Sequence, residues 1–81
     1  MRITVKLFAI LRERAGVSEL TLELPGGAAA SAATDVLRER YPGFSELLPR
    51  AAVAVNREYV DAGTMLKDGD ELALIPPVSG G

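Results

Sequence analysis

The sequence predicts an α+β fold, one mixed β-sheet with a single main helix packed across one face. Three observations carry that prediction. The chain opens on a run that alternates polar and apolar residues at period two. Residues 29–41 then change to apolar spacings of three and four. After them come short strand-like runs separated by turn residues. Strands, then a long helix, then strands again give a sheet with its helix on one side.

Taken in order, residues 2–8 form the first strand, with Ile3, Val5 and Leu7 on one face and Thr4, Lys6 and Phe8 on the other. Ala9 to Ala15 contains good helix formers, and Gly16 supplies a left-handed stop, so a short helix or turn follows. Leu20, Leu22 and Leu24 alternate with Thr21 and Glu23, making residues 18–24 a second strand, antiparallel to the first, that ends at Pro25-Gly26-Gly27. In the main helix, residues 29–41, Ala29, Ala33, Val36, Leu37 and Tyr41 face inward, and Pro42-Gly43 ends it. Phe44 to Leu48 reads as a connecting helical turn that stops at Pro49. Ala51 to Val55 is strand-like, Asn56-Arg57 a turn, and Glu58 to Val60 a brief returning strand. Asp68-Gly69 is a further turn, and Glu71 to Ile75 is the last strand.

Composition narrows what such a domain can do. A chain of 81 residues has room for one core, and 48% hydrophobic against 25% charged residues is enough apolar surface to order it. Nine Lys and Arg against eleven Asp and Glu, with no basic block, make nucleic acid a poor partner. Without Cys or His there are no disulfides, no thiolate nucleophile, no zinc site of the usual ligands, and none of the side chain best suited to proton transfer near neutral pH. No metal site is expected. Asp68, Asp70 and Glu71 cluster, but an Asp-Gly turn is ordinarily structural and the spacing suits no cation. Arg12-Glu13-Arg14 reads as a solvated face, and Gly26-Gly27 lacks the surroundings of a phosphate loop. The N-terminus lacks the pattern of a signal peptide, and no apolar run approaches the ~20 residues of a membrane helix. The expected location is the cytoplasm, with no membrane partner.

The C-terminal residues attract most attention. Pro76 and Pro77 lack backbone donors, so they end strand pairing and stiffen the exit from the sheet. A tail from Pro76 through Val78, Ser79 and Gly80 to Gly81 spans up to ~20 Å when extended. Two terminal glycines make its end narrow and leave the carboxylate uncrowded. The expected division is a domain over residues 1–77 and a flexible tail over 78–81. Gly80-Gly81 alone also fits a frayed end or a linker remnant, and the Pro-Pro launch argues against that. Phe8 and Ile75 both fall on the sheet face opposite the core, where they form either a docking patch or ordinary packing under a loop.

Several segments resemble the small subunit of molybdopterin synthase, a ubiquitin-like sulfur-carrier family. The most specific is the closing run, Leu66-Lys67-Asp68-Gly69-Asp70-Glu71-Leu72 through Pro76-Pro77-Val78-Ser79-Gly80-Gly81. Leu7-Phe8-Ala9 before Arg12-Glu13, and Ala54-Val55-Asn56-Arg57-Glu58-Tyr59-Val60, are similar to the same family in the same places. The resemblance implies a β-grasp fold with the first and last strands adjacent and parallel. It implies that Gly81 is the chemical site. A ubiquitin-activating-like adenylyltransferase uses ATP to adenylate its carboxylate, and a sulfur donor converts the adenylate to a thiocarboxylate. The tail then inserts into the large synthase subunit, within a heterotetramer, and sulfur passes to cyclic pyranopterin monophosphate. Phe8, Tyr59 and Ile75 match the family's hydrophobic docking positions. By the same resemblance the chain binds no cofactor and is not catalytic alone. Two alternatives share the terminal glycines: a carrier for thiamine, cysteine or tRNA thiolation, and a ubiquitin-like modifier that forms an amide with a target lysine.

Overall fold

The computed structural model describes residues 1–76; Pro77, Val78, Ser79, Gly80 and Gly81, and with them the expected tail and its boundary, lie outside the described residues. The elements are β1 (Arg2–Leu7), α1 (Ala9–Ala15), β2 (Glu19–Glu23), α2 (Ala30–Arg40), 3₁₀ turns at Pro42–Phe44 and Leu48–Arg50, β3 (Ala52–Val55), β4 (Glu58–Tyr59) and β5 (Glu71–Ile75). They build one five-stranded sheet in the order β2-β1-β5-β3-β4. β1 pairs antiparallel with β2, setting Ile3 opposite Leu22, and parallel with β5, setting Leu7 opposite Leu74. This is the arrangement the resemblance implies.

Period-two alternation decides which face is covered. Ile3, Val5, Leu7, Leu22, Leu72 and Leu74 all point to the buried side. There they meet Leu11 of α1, Ala30, Ala33 and Leu37 of α2, and Phe44 of the first 3₁₀ turn. Phe44 is fully buried and stacks on half-buried Tyr41 at a centroid distance of 5.0 Å. Among the described residues, no helix is long and apolar enough to cross a membrane.

The boundaries differ from the sequence expectations in physically readable ways. The first ladder stops at Leu7, because Phe8 turns out to cap α1, its carbonyl accepting the Leu11 N–H at 3.1 Å. The second strand is a residue shorter at each end than expected. α2 starts one residue late, since Ala29 stays extended and bridges to Met65. That shift brings Ala30 into the core and leaves Ala29, Val36 and Tyr41 half-buried. The expected turn over Phe44 to Leu48 is instead two 3₁₀ turns, and Pro49 lies inside the second, near its start, where a missing N–H costs little. Gly16 ends α1 as expected, left-handed at φ 78° with its N–H bonded to the Arg12 carbonyl. Arg12, Glu13 and Arg14 are exposed, and Arg14 also donates to the Gly43 carbonyl at 2.8 Å.

A polar clasp joins the β3–β4 turn to the start of β5. Buried Asp70 accepts from Asn56 Nδ2 at 2.9 Å and from the Lys67 N–H at 2.7 Å. Asn56 Oδ1 accepts the Glu71 N–H at 3.0 Å, and the Asn56 N–H reaches the Glu71 carbonyl at 2.8 Å. The Asp-Gly turn is therefore structural, as its sequence suggests. Replacing Asp70 with Ala removes the shared acceptor of two part-buried hydrogen bonds, and urea denaturation should show a loss of about 1–3 kcal/mol. A loss under ~0.5 kcal/mol, the range of ordinary surface changes, would mean that the clasp does not hold the turn.

Candidate docking face and C-terminal exit

The face of the sheet away from α2 carries the candidate site. Strand register places Lys6, Ala73, Ala54 and Tyr59 in one row across β1, β5, β3 and β4. Two alanines between two long side chains leave a gap. The result is a depression of about 300 Å³, floored by Ala54 and Ala73 and lined further by Phe8, Ile75, Arg57 and Glu71.

The backbone aims the apolar walls of this depression. Parallel pairing of Leu7 with Leu74 carries the chain on to Phe8 beside Ile75. Phe8 is extended at φ −127°, and the following residue, Ala9, is left-handed at φ 50°, so the chain leaves the sheet abruptly there. Phe8 is 43% exposed and Tyr59 74% exposed, whereas Ile75 is half-buried. The structure thus brings Phe8, Tyr59 and Ile75 around one depression, although they lie on three different strands or strand ends. Pro76 follows Ile75 directly and is buried. Pro77, Val78, Ser79, Gly80 and Gly81 lie outside the described residues.

Sequence reasoning missed the alanine floor and the charged rim. Period-two alternation from Leu72 and Leu74 was sufficient to put Ala73 on this face, but small residues carry no signal of a cavity until their neighbours are known. On the rim, Lys6 Nζ lies 3.2 Å from Glu71 Oε1, both partly exposed, a pair worth little in stability. The Arg57 guanidinium has no carboxylate at ion-pair distance among the described residues. Far from the depression, the Arg2 guanidinium is held above its ordinary pKa by its hydrogen bond and charge interaction with Glu23.

A match over residues 5–81 to the ThiS family model accounts for this architecture. The chain belongs to the ThiS family. The molybdopterin synthase sulfur carrier subunit of Arabidopsis thaliana is 40% identical over 81 residues, covering all of this chain and 84% of that protein. The human protein of the same name is 35% identical over 83 residues, covering 99% of this chain and 94% of its own. Among solved structures, small archaeal modifier protein 1 of Haloferax volcanii matches at TM-score 0.87 and 33% identity, covering 95% of this chain and 98% of that one. The complex of subunits 1 and 2 of molybdopterin-converting factor from Helicobacter pylori matches at TM-score 0.71 and 29% identity over all of both chains. This ThiS-family protein is thus β-grasp, and its resemblance to molybdopterin synthase small subunits runs the length of the chain.

The exposure of the walls yields a stability prediction for this ThiS-family domain. Tyr59→Ala should lower unfolding stability by no more than about 1 kcal/mol, since little buried surface is lost. Phe8→Ala, which removes a partly covered ring, should lower it by about 1–2 kcal/mol. Phe44→Ala, by contrast, should lose about 3–5 kcal/mol. Equal losses at Phe8 and Phe44 in thermal or urea unfolding would make the depression part of the core.

Proposed function

We propose that this chain is the sulfur carrier of molybdopterin synthase and that it works in the cytoplasm through the carboxylate of Gly81. The observation that carries the reading is the resemblance over the whole chain to proteins named as that subunit. The geometry supports it, because the central strand β5 ends beside an exposed apolar depression. A partner seated there lies within reach of a tail of six residues, which spans up to ~20 Å when extended.

The chemistry follows from the weakness of a carboxylate as an electrophile. A carboxylate oxygen attacks the α-phosphorus of ATP on an adenylyltransferase, and pyrophosphate leaves. The resulting acyl carbon now carries a good leaving group. Sulfide delivered by the sulfur donor attacks it, AMP departs with the former bond's electron pair, and a thiocarboxylate remains. ATP is consumed by the activating enzyme, and this chain holds no cofactor of its own. The loaded tail enters the large subunit, which supplies the catalytic side chains, and its sulfur passes to cyclic pyranopterin monophosphate. Pro76, Pro77, Val78, Ser79 and Gly80 act as the arm, and Phe8, Tyr59 and Ile75 as the seat.

A modifier reading draws on the likeness to a small archaeal modifier protein. Both readings begin with adenylation and part at the nucleophile, sulfur in one and a lysine amine in the other. Incubation with the cognate activating enzyme, ATP and a sulfur donor should produce an oxygen-for-sulfur mass increase at Gly81. The protein lacking Gly81 should keep its fold and never load. Lysine adducts formed instead would favour the modifier, and molybdopterin synthesis sustained without Gly81 would end the carrier reading.

The seat has its own test. Phe8→Asp or Ile75→Asp should weaken binding to the large synthase subunit by about 2 kcal/mol or more, as for loss of a buried interface anchor. Unchanged calorimetric affinity with both substitutions present would remove the two side chains from the interface.

A further inference from the structure

The β3–β4 connection is a two-residue hairpin loop, Asn56-Arg57, between paired Val55 and Glu58. Both loop residues have positive φ, 50° at Asn56 and 71° at Arg57, as a type I′ turn demands. Asn suits the first position, where its side chain is also tied to Asp70 and the Glu71 N–H. Glycine suits the second, because a side chain there strains the left-handed backbone. This chain places arginine where the turn favours glycine.

Backbone strain persists where the surroundings over-determine it, and it concentrates at sites with a task. Arg57 lines the depression floored by Ala54 and Ala73. Of the two cations on that rim, Lys6 is already beside Glu71 at 3.2 Å. Arg57 is exposed and, among the described residues, free of any carboxylate. An unpaired guanidinium with a planar fork of donors beside an apolar hollow suits an acidic side chain next to an apolar one.

We propose that Arg57 is a specificity residue of the docking face. It pairs with a carboxylate that the partner carries beside a bulky apolar side chain seated over Ala54 and Ala73. The strained turn gives up some stability of the free domain to hold the guanidinium at the rim. This inference rests on the reading of the face as the seat for the large synthase subunit.

Two variants separate the charge from the backbone. Arg57→Gly removes both the cation and the strain, whereas Arg57→Ala removes the cation and keeps a Cβ in left-handed space. The probe is the large subunit of molybdopterin synthase encoded in the same genome, titrated at low and at high ionic strength. Both variants should bind roughly three- to tenfold more weakly at low salt, the size of a rim ion pair. The deficit should shrink as salt screens the pair. R57G alone should unfold at a higher temperature than the unaltered chain. If the unaltered chain does not bind the large subunit, the partner assignment fails and this inference with it. If the unaltered chain binds and both variants match it at low salt, this inference alone fails. An R57G no more stable than the unaltered chain overturns the exchange of stability for recognition.

Discussion

The parallel pairing of β1 with β5 is the constraint on which the rest of the structure depends. Parallel neighbours cannot be joined by a tight turn, so the chain between them must travel back across the sheet, and α2 makes that return over one face. The same pairing puts the end of β1 beside the end of β5. Phe8 and Ile75 meet for that reason, although nearly the whole chain separates them in sequence. Burial fixes the register: a one-residue slip of β5 would turn Leu72 and Leu74 out of the core and Ala73 into it.

What could be read from the sequence is what depends on local periodicity. The alternation of Ile3, Val5 and Leu7, the stop at Gly16 and the last strand from Glu71 to Ile75 are each decided by a few neighbours, and they stand as read. The places where reading failed involve partners distant in the chain. Ala29 stays extended because it bridges Met65, which no local pattern announces. Pro49 looked like a stop, yet proline is tolerated at the start of a 3₁₀ turn where its donor is not needed. Tyr59 entered the candidate site through family resemblance, and the alanine floor not at all, since a hollow is defined by what surrounds it. Asn56 was read as a turn residue and Asp70 as part of an acidic cluster beside an Asp-Gly turn, and only the fold shows that they hold one another.

Strain is unevenly distributed. Among the described residues, three non-glycine residues have positive φ, Ala9, Asn56 and Arg57, and all border the same depression or adjoin a residue that does. Ala9 bends the chain just after Phe8, and Arg57 closes the hairpin whose returning strand bears Tyr59. Elsewhere the chain meets left-handed backbone with glycine, at Gly16, Gly27 and Gly69. Asn56 is accounted for by its bonds to Asp70 and the Glu71 N–H, whereas at Arg57 glycine would serve the free fold better, so the Arg57 side chain is better explained by the exposed face than by folding.

The division of labour that follows suits a molecule with no histidine or cysteine in its sequence. With no thiol or imidazole among its side chains, the proposed reaction uses a group that every chain possesses, a terminal carboxylate. What the fold can contribute is address and reach. In that proposal, address comes from a shallow apolar hollow with a charged rim. Reach comes from ending the central strand, the one held on both sides by β1 and β3, directly at the exit. A tail launched from an edge strand would move with local fraying, which opens at little free-energy cost. Launched from the middle of the sheet, it starts from a fixed point beside the docking face.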